Sequence, residues 1–140
     1  MSDRRFFDTN IIVYSHDLSE PAKQPIAFSL MRDAWQDRSG RLSTQVLSEY
    51  YVTVTQKLDP GLPREEAWSD VEALLAWNPV SIDAECLRVA HQVQREHSIS
   101  WWDSLIVSAA YLSEATVLLS EDLTHGEVYS GVQVINPFVT

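Results

Sequence analysis

Short apolar runs recur along this chain with longer helix-patterned segments between them, and this alternation limits the fold more than any other feature. Residues 4–7 end in Phe6-Phe7 before Asp8 and predict a buried strand. Residues 41–43 and 79–82 predict brief strands, 115–120 a β-branched and apolar one, and 132–135 a last one closed by Asn136-Pro137. Between them, residues 11–16 read as a short helix or turn. A helix opened by Glu20-Pro21 runs to about Arg38, with Ile26, Leu30, Met31, Ala34 and Trp35 on one face and Ser39-Gly40 as its stop. Residues 44–57 carry Val46, Leu47, Tyr50, Val54 and Leu58 at helical spacing, and Asp59-Pro60-Gly61 is a turn. Pro63 opens a helix with Ala67, Val71, Leu74 and Leu75 inward. Asp83 caps one reaching about His97, and Ser100 starts one that buries Leu105, Ile106, Ala109 and Leu112. Residues 121–131 read as loop.

Strands separated by helices imply a parallel sheet covered on both faces, in one domain spanning residues 1–140. With 45% hydrophobic residues the chain has apolar surface for a real core. No run approaches the length of a membrane span, and the first residues lack the apolar stretch of a signal peptide. Cys86 is the single cysteine and sits in a helical pattern, so it reads as a small core residue. A reducing, cytoplasmic setting is expected.

In parallel α/β sheets, sites form beyond the carboxyl ends of the strands. Asp8 follows the first strand, and Glu49 lies in the second turn of the helix after the second. Asp103 lies in the first turn of the helix after the 98–100 loop, and Asp122 follows the 117–119 strand. All four acids therefore fall at one edge of the expected sheet. Converging carboxylates repel one another and persist where a cation compensates them. Oxygen-only ligands suit Mg²⁺ or Mn²⁺ rather than zinc, and such a metal activates water for phosphodiester hydrolysis.

Each acid also has a plain structural reading. Asp8 caps the helix after it, Asp103 completes a Ser100-x-x-Asp103 box, Glu49 is an exposed helix acid, and Asp122 is a turn former. The net charge of −10 has two readings as well: a solvated surface, or acids gathered at a metal that reverses the local sign. By itself that charge disfavours nucleic-acid binding. Trp101 and Trp102 fit either base stacking or one core and one interface residue. His16, His91 and His97 show no ligand spacing, Ser104 and Ser108 have no paired histidine, and there is no glycine-rich phosphate loop.

The segment Phe7-Asp8-Thr9-Asn10-Ile11-Ile12-Val13-Tyr14 resembles the opening motif of PIN domains. Leu47-Ser48-Glu49-Tyr50 resembles their second motif, and Trp102-Asp103-Ser104-Leu105-Ile106-Val107-Ser108-Ala109-Ala110 their third. Leu118-Leu119-Ser120-Glu121-Asp122-Leu123 resembles the fourth. The resemblance covers essentially the whole chain. It implies a three-layer α/β/α sandwich with a central parallel sheet and Mg²⁺- or Mn²⁺-dependent endoribonuclease activity on RNA. Asp8, Glu49, Asp103 and Asp122 are then the metal acids, with Asn10 and Ser120 orienting acids or water. A single domain of this kind is similar to VapC-type toxins of type II toxin–antitoxin pairs, so a homodimer and a cognate antitoxin that blocks the site are expected. The fourth motif departs from the commoner Thr-Asn-Asp, which leaves either Glu121 or Asp122 facing the metal, with Asp122 preferred. His125 is a lesser candidate for a substrate contact.

Two other functions fit parts of the pattern. A haloacid-dehalogenase-type phosphatase also places an Asp after its first strand, but needs a second Asp where this chain has Asn10. A non-catalytic RNA- or protein-binding module would keep the fold while losing acids, and all four are present.

Overall fold

In the computed structural model, which describes residues 3–139, five strands form one sheet in the order β2-β1-β3-β5-β4. The strands are β1 (Arg5–Phe7), β2 (Gly40–Arg41), β3 (Val117–Leu119), β4 (Val128–Tyr129) and β5 (Val132–Ile135). The helices are α1 (Thr9–His16), α2 (Gln24–Asp37), α3 (Thr44–Val52), α4 (Arg64–Leu74), α5 (Ala84–His97) and α6 (Trp101–Leu112). They flank the sheet in the expected α/β/α arrangement, with α1 against α2 and α3, α3 against α4, and α5 against α6. No helix among the described residues is long and apolar enough to cross a membrane.

Four strands are parallel, and β4 adds an antiparallel edge to β5 inside the segment expected to be loop. Its two-residue turn has Ser130 at φ 52° and Gly131 at φ 82°. Positive φ at both central positions is the geometry of the type I′ hairpin turn, whose twist matches that of the strands. Glycine supplies only the second position, which is why the hairpin was hard to see in the sequence.

The central strands are β1 and β3, where Phe6, Phe7, Leu118 and Leu119 are almost completely buried. Their register pairs Arg5 with Val117, Phe6 with Leu118 and Phe7 with Leu119. One step further, the Asp8 N–H donates to the Leu119 carbonyl at 3.0 Å, so Asp8 leaves the sheet beside Ser120. From β1 the chain goes out to β2 on one side and, later, returns to β3 on the other. Such a reversal opens a crevice at the carboxyl ends of the strands.

Several local expectations change. The second helix starts at Gln24, with Pro25 in its first turn rather than Pro21. The Asp17 carboxylate accepts from the Ser19 N–H and hydroxyl, and successive turns at Asp17–Glu20 and Glu20–Lys23 use up the chain before a helix can begin. Its buried stripe is Ala27, Met31 and Ala34, leaving Ile26 and Trp35 about two-fifths exposed. It ends at Arg38, which takes the left-handed conformation expected of the Ser39-Gly40 stop. The helix expected over 44–57 finishes as a π-wound turn, Thr53–Lys57, closed by the Leu58 N–H to the Thr53 carbonyl. Residues 79–82 form only a single bridge, Ser43 to Val80. After α4 the chain tightens into a 3₁₀ turn, Leu75–Trp77, which turns Leu75 outward and buries Trp77.

Trp77 explains Gly40. Its ring meets Phe7 edge-on at 5.4 Å and Trp35 at 5.3 Å, and it lies against the β2 backbone. A Cβ at Gly40 would stand 2.5 Å from the ring. Gly40→Ala is expected to destabilise the protein by about 1–3 kcal/mol through this overpacking. Urea unfolding should show a lower midpoint with an unchanged slope; an unchanged midpoint would mean that Trp77 moves aside freely.

Candidate active site

The four acids predicted to lie at one sheet edge line a single cleft of about 370 Å³, together with Thr9, Lys57 and Trp102. Each arrives from a different element. Asp8 is the residue between β1 and α1; its extended backbone makes it the N-cap, and Oδ1 accepts from the Thr9 N–H at 2.7 Å. The capping role and the site role thus coexist. Glu49 stands on α3, whose start is set by Ser43 Oγ accepting from the Val46 N–H at 3.2 Å. Asp103 is in the first turn of α6, where its N–H donates to Ser100 Oγ at 3.1 Å. The reciprocal half of that capping box is absent among the described residues, so the Asp103 carboxylate faces the cleft uncommitted. Asp122 comes from the loop after β3.

The supporting residues connect these acids. The Ser120 hydroxyl donates to Asp8 Oδ2 at 2.7 Å and accepts from the Asp122 N–H at 3.1 Å. The Asn10 amide grips the same loop twice: Nδ2 donates to Asp122 Oδ2 at 3.1 Å, and Oδ1 accepts from the Glu121 N–H at 3.3 Å. Thr9, to which no role was given from sequence, donates its hydroxyl to Glu49 Oε1 at 2.9 Å. Its place between Asp8 and Asn10 was the signal available.

Of the two neighbouring acids, Glu121 is engaged elsewhere. It accepts from Tyr14 Oη at 2.7 Å and from Lys23 Nζ, away from the cleft. Burial pushes the Glu121 carboxyl up, but the bonds from Lys23 and Tyr14 outweigh it and hold the group below its ordinary value. Asp122 lines the cleft and Glu121 does not.

Asp8 is 6% exposed, the one acid among the described residues that is buried. Burial pushes its carboxyl up to about 6; the Ser120 and Thr9 bonds oppose the rise, and the nearby Asp122 and Glu49 carboxylates add to it. Among the described residues no three His, Cys, Asp or Glu side chains are gathered closely enough to grasp a metal ion as they stand. Four like charges around one cleft push apart, and the donor chemistry there is oxygen alone, the kind that takes a hard dication.

Other candidates lie elsewhere. His125 Nδ1 accepts from the Asn136 N–H, His97 packs edge-on against Tyr129, and His16 lies against Tyr50. Ser108 Oγ donates to the Cys86 carbonyl at 2.8 Å, joining α6 to α5, and Cys86 is buried as expected. Trp101 packs against the Cys86, Ala90 and Leu105 cluster, while Trp102 stays 66% exposed on the cleft wall. The larger groove, 720 Å³, is lined by Arg4, Arg38 and Arg41 and by none of the four acids.

The family model for the PIN domain matches residues 5–130. No curated protein is a sequence match. Among solved structures, VapBC2 from Rickettsia felis bound to a promoter DNA fragment is similar over 93% of this chain and 96% of the matched one, at TM-score 0.62 and 17% identity. A toxin–antitoxin complex from Klebsiella pneumoniae is similar over 95% and 97%, at TM-score 0.60 and 17% identity. FitAB bound to an IR36 DNA fragment is similar over 97% and 96%, at TM-score 0.65 and 19% identity. At such identities the likeness is one of fold.

The buried Asp8 makes a prediction for the metal-free protein. Its carboxyl titrates near 6 when folded and near 3.8 when unfolded. Between those values the folded state holds a proton that the unfolded state has lost, so stability falls as pH rises through this window. The loss is on the order of 3 kcal/mol, from the size of the shift. In EDTA, Asp8→Asn is expected to remove this slope and to be more stable than the parent above pH 6. Parallel urea titrations from pH 4 to 7.5 check it; identical pH profiles for the two proteins would contradict it.

Proposed function

Because this chain belongs to the PIN-domain family, we propose that it is a Mg²⁺- or Mn²⁺-dependent endoribonuclease acting as the toxin of a type II toxin–antitoxin pair. The observation that carries the reading is the convergence of Asp8, Glu49, Asp103 and Asp122 on one cleft at the carboxyl edge of the sheet. PIN domains are generally nucleases, and an acid cluster of this kind needs positive charge before a phosphodiester can approach it. The fit is chemical: an all-oxygen donor set in an open cleft suits a small hard cation that keeps several of its waters. Asp8, Glu49, Asp103 and Asp122 would hold it.

Bound there, such an ion polarises a phosphoryl oxygen and lowers the pKa of water. The protein's own part is orientation. Ser120 fixes Asp8 and the Asp122 backbone together, Asn10 fixes Asp122, and Thr9 fixes Glu49. Burial raises the Asp8 carboxyl to about 6, so below that pH a proton would compete with a metal ion for it. A phosphatase of the haloacid-dehalogenase type finds no support: Asn10 has no proton to give and is occupied in holding the 120–122 loop.

The toxin role is drawn from the fold shared with toxin–antitoxin complexes. Large apolar side chains left outside, Phe28 at 53% and Trp68 at 51% exposure, support a second copy or an antitoxin covering part of this surface. A cytoplasmic setting, where RNA and antitoxin are both met, belongs to the same proposal.

The expected outcome is discrete cleavage of total cellular RNA in Mn²⁺ or Mg²⁺, abolished by EDTA and reduced more than about a hundredfold by Asp8→Asn or Asp103→Asn. Mn²⁺ at a hundred times its Kd should stabilise the protein by about 2.7 kcal/mol, an effect that Asp103→Asn removes. Asn10→Ala should weaken metal affinity about 10–100-fold. Induced expression should arrest bacterial growth, and the Asp8→Asn variant should not. Cleavage that survives EDTA and both substitutions would overturn the four-acid reading.

A further inference from the structure

We propose that the cleft grips its substrate as an unpaired strand, with one base stacked on Trp102 and a neighbouring phosphate held by Lys57. The proposal rests on the nuclease reading of the same cleft and names what the acids cannot do, which is to hold an anion.

Trp102 is 66% exposed on the first turn of α6, next to Asp103. Packing accounts for its neighbour Trp101 but not for Trp102: among the described residues its ring meets no other aromatic and its indole N–H has no partner. An indole is the side chain that gains most by burying its face, and a nucleobase presents a flat partner of matching size.

Lys57 lines the same cleft from the π-wound end of α3. Gln45, Glu49, Thr53 and Lys57 follow one another at a spacing of four along α3 and its π-wound end, and all four line the cleft. Lys57 is exposed and forms no ion pair with the acids that share the cleft. It is the cleft's one basic side chain among the described residues, and its charge remains available to a phosphate. Eight residues of helix set it roughly 12 Å along the wall from Glu49.

The strand must be single. A base lies against Trp102 only when it has left its own stack, which loops and ends permit and a duplex does not. This arrangement also answers the net charge of −10: the strand is held by one cation and one ring face beside the acids, without a basic surface.

The test is fluorescence anisotropy with a labelled single-stranded RNA oligonucleotide at low salt in Ca²⁺, a hard dication that oxygen ligands take up but that is a weaker activator of water than Mg²⁺ or Mn²⁺, so that the acids are compensated while cleavage is suppressed. Trp102→Ala should weaken binding about five- to a hundredfold, and Trp102→Phe should retain most of it. Lys57→Gln should weaken binding and reduce the slope of log K against log salt by about 0.7, the value of one lost phosphate contact on a single strand. A duplex of the same sequence should bind at least tenfold more weakly and ignore Trp102→Ala. The proposal is overturned if wild type fails to bind, if both variants bind like wild type, or if the duplex binds equally well. It is also overturned if Arg38→Glu and Arg41→Glu in the distant groove abolish binding while the cleft variants do not. The metal reading is scored separately by Mn²⁺-induced stabilisation. Its loss in wild type would count against the four-acid site, while oligonucleotide binding would still decide the grip.

Discussion

A carboxylate shut away from water costs free energy that only donors or positive charge offset, and Asp8 sets that condition at the meeting point of β1, β3 and α1. The protein supplies two donors, the Thr9 N–H and the Ser120 hydroxyl, and, among the described residues, no ion pair. Both donors follow from the backbone. Thr9 opens the helix that Asp8 caps, and Ser120 stands across from Asp8 because the β1–β3 register continues by one residue past Phe7 and Leu119. The site is therefore built from the sheet outward. The same hydroxyl accepts the Asp122 N–H, which passes the position of one acid to the next.

A second arrangement selects which acids face the cleft. The 120–122 loop offers two neighbouring carboxylates. Lys23 and Tyr14 draw Glu121 toward α1 and α2, and the Lys23 ammonium also lies over the rings of Tyr14 and Phe138. Asn10 receives the Glu121 N–H and donates to Asp122. Holding Glu121 on that side leaves Asp122 to line the cleft. Lys23 thus shapes an acid cleft it does not enter.

Much of this was legible in the sequence because period and punctuation are local. Asp83 and Ser100 cap the helices they were expected to cap, each through its side-chain oxygen. The buried runs at Phe6-Phe7 and Leu118-Leu119 are central strands. What escaped depended on partners far along the chain. Trp77 is buried where Leu75 was expected, because Phe7, Trp35 and Gly40 form its slot. The start of α2 moved because an Asp17 turn competed with Pro21. The π-wound end of α3 and the β4 edge carry no periodic signature of their own.

The sequence by itself determined the alternation of strands and helices, the placement of four acids after strands or early in helices, and the motif order of the PIN family. These depend on spacing along the chain and on local hydrogen bonding. Only the tertiary structure decided that Asp122 rather than Glu121 enters the cleft, that Thr9 holds Glu49, and that Lys57 and Trp102 share that cleft. Those outcomes turn on contacts between segments 40 to 112 residues apart, whose register and competing ion pairs exist only once the sheet has assembled.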